Sequence, residues 1–202
     1  MVEQSKWVHI TNEDPEHSNR YIERFRDLAA NGMDLDGEAR LIDAMSTRGS
    51  RILDAGCGPG RTGGALARAG HTVVGVDVDP ILIAAAENDH PGPTWLVGDL
   101  AELDLASRGV DPAFDVIVCA GNVMAFLAAS TRRAVLSGFR SHLATDGRAV
   151  VGFGGERGYE FDEFFDDVQA AGLVVEVTLS TWDLRPFSDD SDFLVAVLRR
   201  SA

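Results

Sequence analysis

From residue 51 onward, short apolar runs alternate with amphipathic stretches. Arg51–Ala55, His71–Asp77, Thr94–Gly98, Phe114–Ala120, Gly147–Phe153, Leu173–Ser180 and Asp192–Arg199 read as strands. Helices are expected at Arg61–Ala69, closed by Gly70, at Pro80–Asn88, at Thr131–Leu143 and at Phe161–Ala171. Most of these strands are apolar on both faces, which fits a parallel sheet covered by helices on each side. The last two strands are joined by residues 181–191 without a helix between them. A parallel return needs a long, usually helical crossover, so this pair is expected to be an antiparallel hairpin. The fold expected is therefore α/β: a Rossmann-like, doubly wound sheet of seven strands, mostly parallel, with the last strand reversed at the edge and helices on both faces.

Upstream, Ser18 reads as an N-cap, Tyr21, Ile22, Phe25 and Leu28 fall at helical spacing, and Asn31-Gly32 supplies the stop. A second helix is expected from about Asp36 to Ser46, with Leu41, Ile42 and Met45 on one side. Residues 1–17 are polar and lack periodicity, so they read as an arm. These features divide the chain into residues 1–35, an arm and helix expected to form part of a lid, and residues 36–202, a ligand-binding domain.

In open α/β sheets, ligands lie at the carboxyl ends of the strands near the point where strand order reverses. Three acids mark those ends: Asp54 ends the first strand, Asp77 the second and Asp99 the third. Between the first strand and its helix stands Gly56-Cys-Gly-Pro-Gly60. Measured from Gly56, the dinucleotide fingerprint Gly-x-Gly-x-x-Gly is met at Gly58 but finds Arg61 in third place. A P-loop fails too, because Gly64 stands where lysine is required. The helix beginning near Arg61 offers free N–H groups to a carboxylate or another anion.

Composition narrows the partners. With 32 acidic against 18 basic residues the net charge is −14, and the bases are one lysine, Lys6, and scattered arginines. Such a field repels phosphate backbones and anionic headgroups, so neither nucleic acid nor membrane is expected as a partner. Two cysteines, Cys57 and Cys119, exclude a disulfide scaffold and are expected as buried fillers; no metal site is expected. The first residues lack a signal-peptide pattern, so a cytoplasmic address is the expectation. A small-molecule partner, and a monomer or homodimer, complete this reading.

Asp54-Ala-Gly-Cys-Gly-Pro-Gly60, followed by Gly-Val-Asp77 and Gly-Asp99-Leu100, resembles the class I S-adenosylmethionine-dependent methyltransferases of the small-molecule type over about residues 36–200. The resemblance implies S-adenosyl-L-methionine as cofactor and a seven-stranded sheet with its last strand antiparallel. It implies that Gly56, Gly58 and Gly60 line the methionyl part, with Arg61 beginning the next helix, and that Asp54 holds the glycine loop. Asp77, with Val78 beside it, would take the ribose hydroxyls. Asp99 would accept from the adenine amino group with Leu100 against the ring, and Ala120-Gly121-Asn122 would pass near the sulfonium. Trp7, Tyr21 and Phe25 on one side, and Trp182 and Arg185 on the other, are candidate pocket residues. A catalytic base cannot be chosen by spacing among His9, His17, His142, Glu156 and Tyr159. The alternatives are an NAD-type oxidoreductase, which the missing third glycine opposes, and a non-catalytic module that binds S-adenosylmethionine.

Overall fold

The computed structural model describes residues 2–201. Seven strands form one sheet in the order β3-β2-β1-β4-β5-β7-β6. They are β1 (Arg51–Ala55), β2 (Thr72–Asp77), β3 (Thr94–Val97), β4 (Phe114–Cys119), β5 (Leu143–Gly154), β6 (Leu173–Leu179) and β7 (Phe193–Arg200). The first five pair in parallel, while β7 runs antiparallel to both β5 and β6. The hairpin is as expected, but the reversed strand does not lie at the edge. It inserts between β5 and β6, and β6 takes the edge. Its composition explains the exchange: Leu194–Leu198 is an unbroken buried run, whereas β6 carries Glu176 and exposes Val174 and Val177. The more apolar partner of the hairpin takes the position covered on both faces.

The helices are α1 (Lys6–Glu13), α2 (His17–Ala30), α3 (Gly37–Met45), α4 (Arg61–Arg68), α5 (Pro80–Asp89), α6 (Val123–Phe126), α7 (Arg132–His142) and α8 (Phe161–Ala170). Successive strand residues serve opposite faces. Leu53, Val74, Val76, Ile117 and Val151 pack with Leu136, Phe139, Phe164 and Val168 of α7 and α8. Ile52, Val73, Val116, Val118 and Val150 pack with Ile42 of α3 and Leu66 of α4. Trp95 extends that second face beneath α5 with Cys57, Ile83 and Ala86. Among the described residues no helix is long and apolar enough to cross a membrane.

Two N-terminal expectations are corrected. Residues 6–13 are helical, capped by Ser5, whose hydroxyl accepts from the Val8 N–H at 3.3 Å. An eight-residue helix with no buried residue carries little periodic signal, and side-chain ties to the rest of the molecule hold it. Helix α2 begins at His17 after Glu16, so Ser18 is not its cap. Ser18 is buried and donates its hydroxyl to Asp79 instead.

The glycines of the sheet fix how closely its layers approach. A Cβ on Gly75 of β2 would stand 2.2 Å from the Trp95 ring, and one on Gly37 would meet nothing nearer than 3.8 Å. Gly75→Ala is expected to displace the buried indole and cost about 1–3 kcal/mol. The thermal midpoint should fall several degrees, at roughly 2–4 °C per kcal/mol. Gly37→Ala, in a negative-φ helical position, should leave the midpoint unchanged or slightly raised.

Candidate active site

A cleft opens above the carboxyl ends of β1, β2 and β4, enclosing about 1000 Å³ including its mouth. It lies where strand order reverses, because α4 and α5 leave for one face of the sheet while α6 and α7 leave for the other. Asp54, Asp77 and Asp99 all border it. Asp54 is buried, and its Oδ2 accepts the Gly63 N–H of α4 at 2.8 Å, so it anchors the helix after the glycine turn more than the turn itself. Burial pushes its carboxyl up to about 7.

Asp77 ends β2 with both oxygens already oriented. Oδ2 accepts the Gly58 N–H at 2.8 Å and Oδ1 the Asp79 N–H at 3.0 Å. A carboxylate oxygen has two acceptor positions, so each keeps one for a further donor. Burial raises this carboxyl to about 6, although the two backbone hydrogen bonds favour its charged form. Asp99 follows β3; its Oδ1 accepts the Ala101 N–H at 2.9 Å, and Leu100 beside it presents an apolar wall.

The glycine turn divides in its roles. Gly56, Gly58 and Gly60 have φ of 77°, 54° and 81°. Gly56 and Gly58 border the cleft, and a Cβ on Gly58 would meet only the Tyr21 ring, at 3.9 Å. Gly60 faces away from it: a Cβ there would lie 2.8 Å from Ala86 and 3.0 Å from Trp95. Its requirement is a positive φ and close packing under α5, not the cleft. Arg61 does border the cleft, but its guanidinium is committed to Glu38 at 2.6 and 2.8 Å and to the Leu35 carbonyl. Arg61 is the only cation among the described lining residues, so the cleft is net negative.

Val78, Ala120, Gly121 and Tyr21 also line the cleft, whereas Asn122 turns its Oδ1 to the Gly154 N–H at 2.8 Å and ties the ends of β4 and β5 together. The N-terminal helices supply the roof. Trp7 packs edge-on against Tyr21 at 5.2 Å and Phe126 at 5.8 Å, and Phe25 lies beyond Tyr21. Lys6 donates to the Ala125 carbonyl at 2.8 Å and the Arg157 carbonyl at 3.0 Å, pinning α1 across the β4 and β5 loops. Trp182 instead packs on the sheet at Gly152, and Arg185 is exposed in the β6–β7 connection.

None of the five candidate bases is among the lining residues. His9 and Glu156 are exposed, and His17 packs edge-on against Trp7 at 5.0 Å. His142 is buried at the end of α7, donating from Nδ1 to the Gly138 carbonyl at 2.8 Å. Tyr159 is fully buried, donates to Asp167 at 2.8 Å and lies under the Arg132 guanidinium. Ser5, Thr62, Leu82, Val123, Phe126 and Leu127 also line the cleft; Thr62 and Leu82 lie in the first turns of α4 and α5, and the others in loops or the four-residue α6, where periodicity does not tell a cleft wall from packing. Cys57 borders the cleft with its thiol pushed up by burial, while Cys119 packs on the other face, so the two do not form a pair. Among the described residues no cluster of metal-ligating side chains occurs.

This order of strands, with a glycine turn and strand-end acids around one cleft, defines the methyltransferase variant of the Rossmann-like fold. The chain belongs to the S-adenosylmethionine-dependent methyltransferases. A family model described as a methyltransferase domain matches residues 52–147. The solved structure of a TehB-like SAM-dependent methyltransferase from Corynebacterium glutamicum is 49% identical, superposes with a TM-score of 0.89, and covers 93% of this chain and 100% of that one. The mitochondrial ubiquinone biosynthesis O-methyltransferase of Schizosaccharomyces pombe is 32% identical over an alignment of 116 residues, and the match covers 48% of this chain and 42% of that protein. The magnesium-protoporphyrin O-methyltransferase of Rhodobacter capsulatus is 35% identical over an alignment of 112 residues, and the match covers 52% of this chain and 46% of that protein. The chain thus aligns with less than half the length of these two curated relatives.

The raised carboxyls have a consequence for the ligand-free protein. Between about pH 4 and pH 6 the folded chain keeps a proton on Asp77 that the unfolded chain has released, so stability falls as pH rises through this window. Asp77→Asn removes that dependence. Its stability relative to the unsubstituted protein should improve by on the order of 1–3 kcal/mol between pH 4 and pH 7. Urea midpoints at both pH values check this, and parallel pH profiles would contradict it.

Proposed function

We propose that this chain transfers a methyl group from S-adenosylmethionine to a small-molecule acceptor. The observation that carries the reading is the convergence of Asp54, Asp77 and Asp99 on one cleft beside a glycine turn. The cleft fits this cofactor in its chemistry. Asp77 keeps an acceptor position free on each oxygen for the two ribose hydroxyls, and Asp99 with Leu100 suits an amino-bearing aromatic ring. Gly58 leaves main chain open to the methionyl part, Gly56 borders the cleft packed closely against Val123, and Ala120-Gly121 borders the same space. A net-negative cleft favours a sulfonium and opposes the pyrophosphate of NAD, in agreement with the incomplete dinucleotide fingerprint.

When bound, the cofactor supplies a methyl group on a positively charged sulfur, open to in-line displacement by a nucleophile. The chain's own contribution is position and dryness. Trp7, Tyr21 and Phe126 roof the cleft with aromatic surface, and exclusion of water strengthens each polar contact beneath it. Orientation of two reactants within such a site contributes several kcal/mol without a base. The negative surface and scattered arginines support a small acceptor over a nucleic acid. Residues 1–35 serve as the lid and residues 36–202 as the cofactor-binding domain in this reading.

Calorimetric titration with S-adenosylmethionine is expected to give micromolar binding, with no comparable signal from NAD. Asp77→Ala should weaken that affinity at least about tenfold, since two charge-assisted hydrogen bonds exceed the roughly 1.4 kcal/mol required. Affinity in the unsubstituted protein should also fall as pH drops through about 6, where Asp77 takes up a proton, and Asp77→Asn should flatten that dependence. An unchanged dissociation constant in Asp77→Ala would remove the ribose assignment. Release of S-adenosylhomocysteine from a panel of small acceptors would test the transfer itself.

A further inference from the structure

Asp79 opens α5 two residues after the carboxylate proposed for the ribose, and it is buried. Its Oδ1 acts as the helix cap, accepting the Ile81 N–H at 2.8 Å and the Leu82 N–H at 3.4 Å. Capping needs one oxygen, which serine or asparagine supplies equally well. The second oxygen has no part in the cap. Oδ2 accepts the indole N–H of Trp7 at 2.8 Å and the hydroxyl of Ser18, one donor from each N-terminal helix. The main-chain N–H of the same residue donates to Asp77 Oδ1. Asp79 therefore grips the roof of the cleft with its side chain and aims Asp77 on its floor with its backbone.

We propose that Asp79 is a positioning residue that couples occupancy of the cleft to closure of α1 and α2 over it. The proposal rests on reading the cleft as the S-adenosylmethionine site. Helix α1 is too short to persist alone and buries no residue, so its placement depends on a few ties. On one side these are Lys6 to the carbonyls of Ala125 and Arg157, and on the other Trp7 to Asp79. A ligand between Asp77 and the Trp7–Tyr21 roof touches both the floor and the lid, and so binds the closed arrangement more tightly than an open one. Closure and binding then favour each other reciprocally. Removing Oδ2 weakens the lid without removing any group proposed to contact the ligand.

Two variants separate this role from helix capping. Asp79→Ser retains a cap for Ile81 and loses reach to Trp7 and Ser18, whereas Trp7→Phe keeps an aromatic ring and loses the donor. Hydrogen exchange over residues 2–16, read by mass spectrometry with and without S-adenosylhomocysteine, is combined with calorimetric titration. In the unsubstituted protein the ligand is expected to slow exchange in α1. In both variants ligand-free α1 should exchange faster, the ligand-induced slowing should largely disappear, and the dissociation constant should rise about fivefold or more. Asp79→Asn, which keeps one acceptor oxygen, should fall between Asp79→Ser and the unsubstituted protein. Dissociation constants within about twofold of the unsubstituted protein, with α1 exchange unchanged, would overturn the proposal. So would a lowered melting temperature as the sole effect, which assigns Asp79 to the cap alone. If S-adenosylhomocysteine fails to bind the unsubstituted protein, the cofactor reading fails. Faster exchange of ligand-free α1 in both variants would then support the Asp79 tie to the lid by itself, and its absence would overturn it.

Discussion

The reversal of strand order between β1 and β4 is the constraint on which this molecule depends. From β1 the chain winds outward through β2 and β3, then returns to place β4 on the other flank of β1. The connections after β1 and β4 must therefore leave the sheet toward opposite faces, and a gap opens between them that neither helix layer can fill. Everything chemically distinctive gathers at that gap. Acids at strand ends face it, the glycine turn lets main chain approach it, and the N-terminal helices close it from above.

The polar groups around the gap form one connected arrangement. Gly58 N–H meets Asp77, Asp77 meets the backbone of Asp79, and the Asp79 side chain meets Trp7 and Ser18. Glycine turn, strand end, helix start and lid thus share a chain of hydrogen bonds in a buried setting, where leaving any donor unpaired is costly. Burial raises the Asp77 carboxyl against these hydrogen bonds, so the carboxyl best placed to meet a diol is, like Asp54, one whose ionisation the fold opposes. Free energy held in a desolvated carboxylate is available to a ligand that brings its own donors.

Much of this was legible in the sequence, because the sheet writes itself in continuous apolar runs. The seven strands, and the helices from α3 on except the four-residue α6, lie within a few residues of their expected positions, save that β5 begins at Leu143 instead of Gly147. Asp54, Asp77 and Asp99 converge as strand-end logic requires. What escaped is what periodicity cannot encode. Helix α1 owes its place to Ser5, Lys6 and Trp7, the first acting as a local cap and the other two through partners far along the chain. The inward position of β7 follows from a comparison of two strands' burial, not from either alone. Gly60 and Asn122 sit within the right motifs yet serve packing and loop bracing, because a motif fixes backbone shape and leaves side-chain direction to the neighbours.

Lys6 carries a practical consequence. It is the chain's single lysine, and it sits on the lid with its ammonium bridging two loops at the cleft's margin. Apart from any free α-amino group, amine-directed reagents therefore have one address on this molecule. A fluorophore, crosslinker or biosensor matrix attached through amines would modify the roof of the cleft and leave the sheet untouched. Immobilisation by that route would tether the protein by the part expected to move, and attachment through carboxylates or an appended tag would leave the lid free.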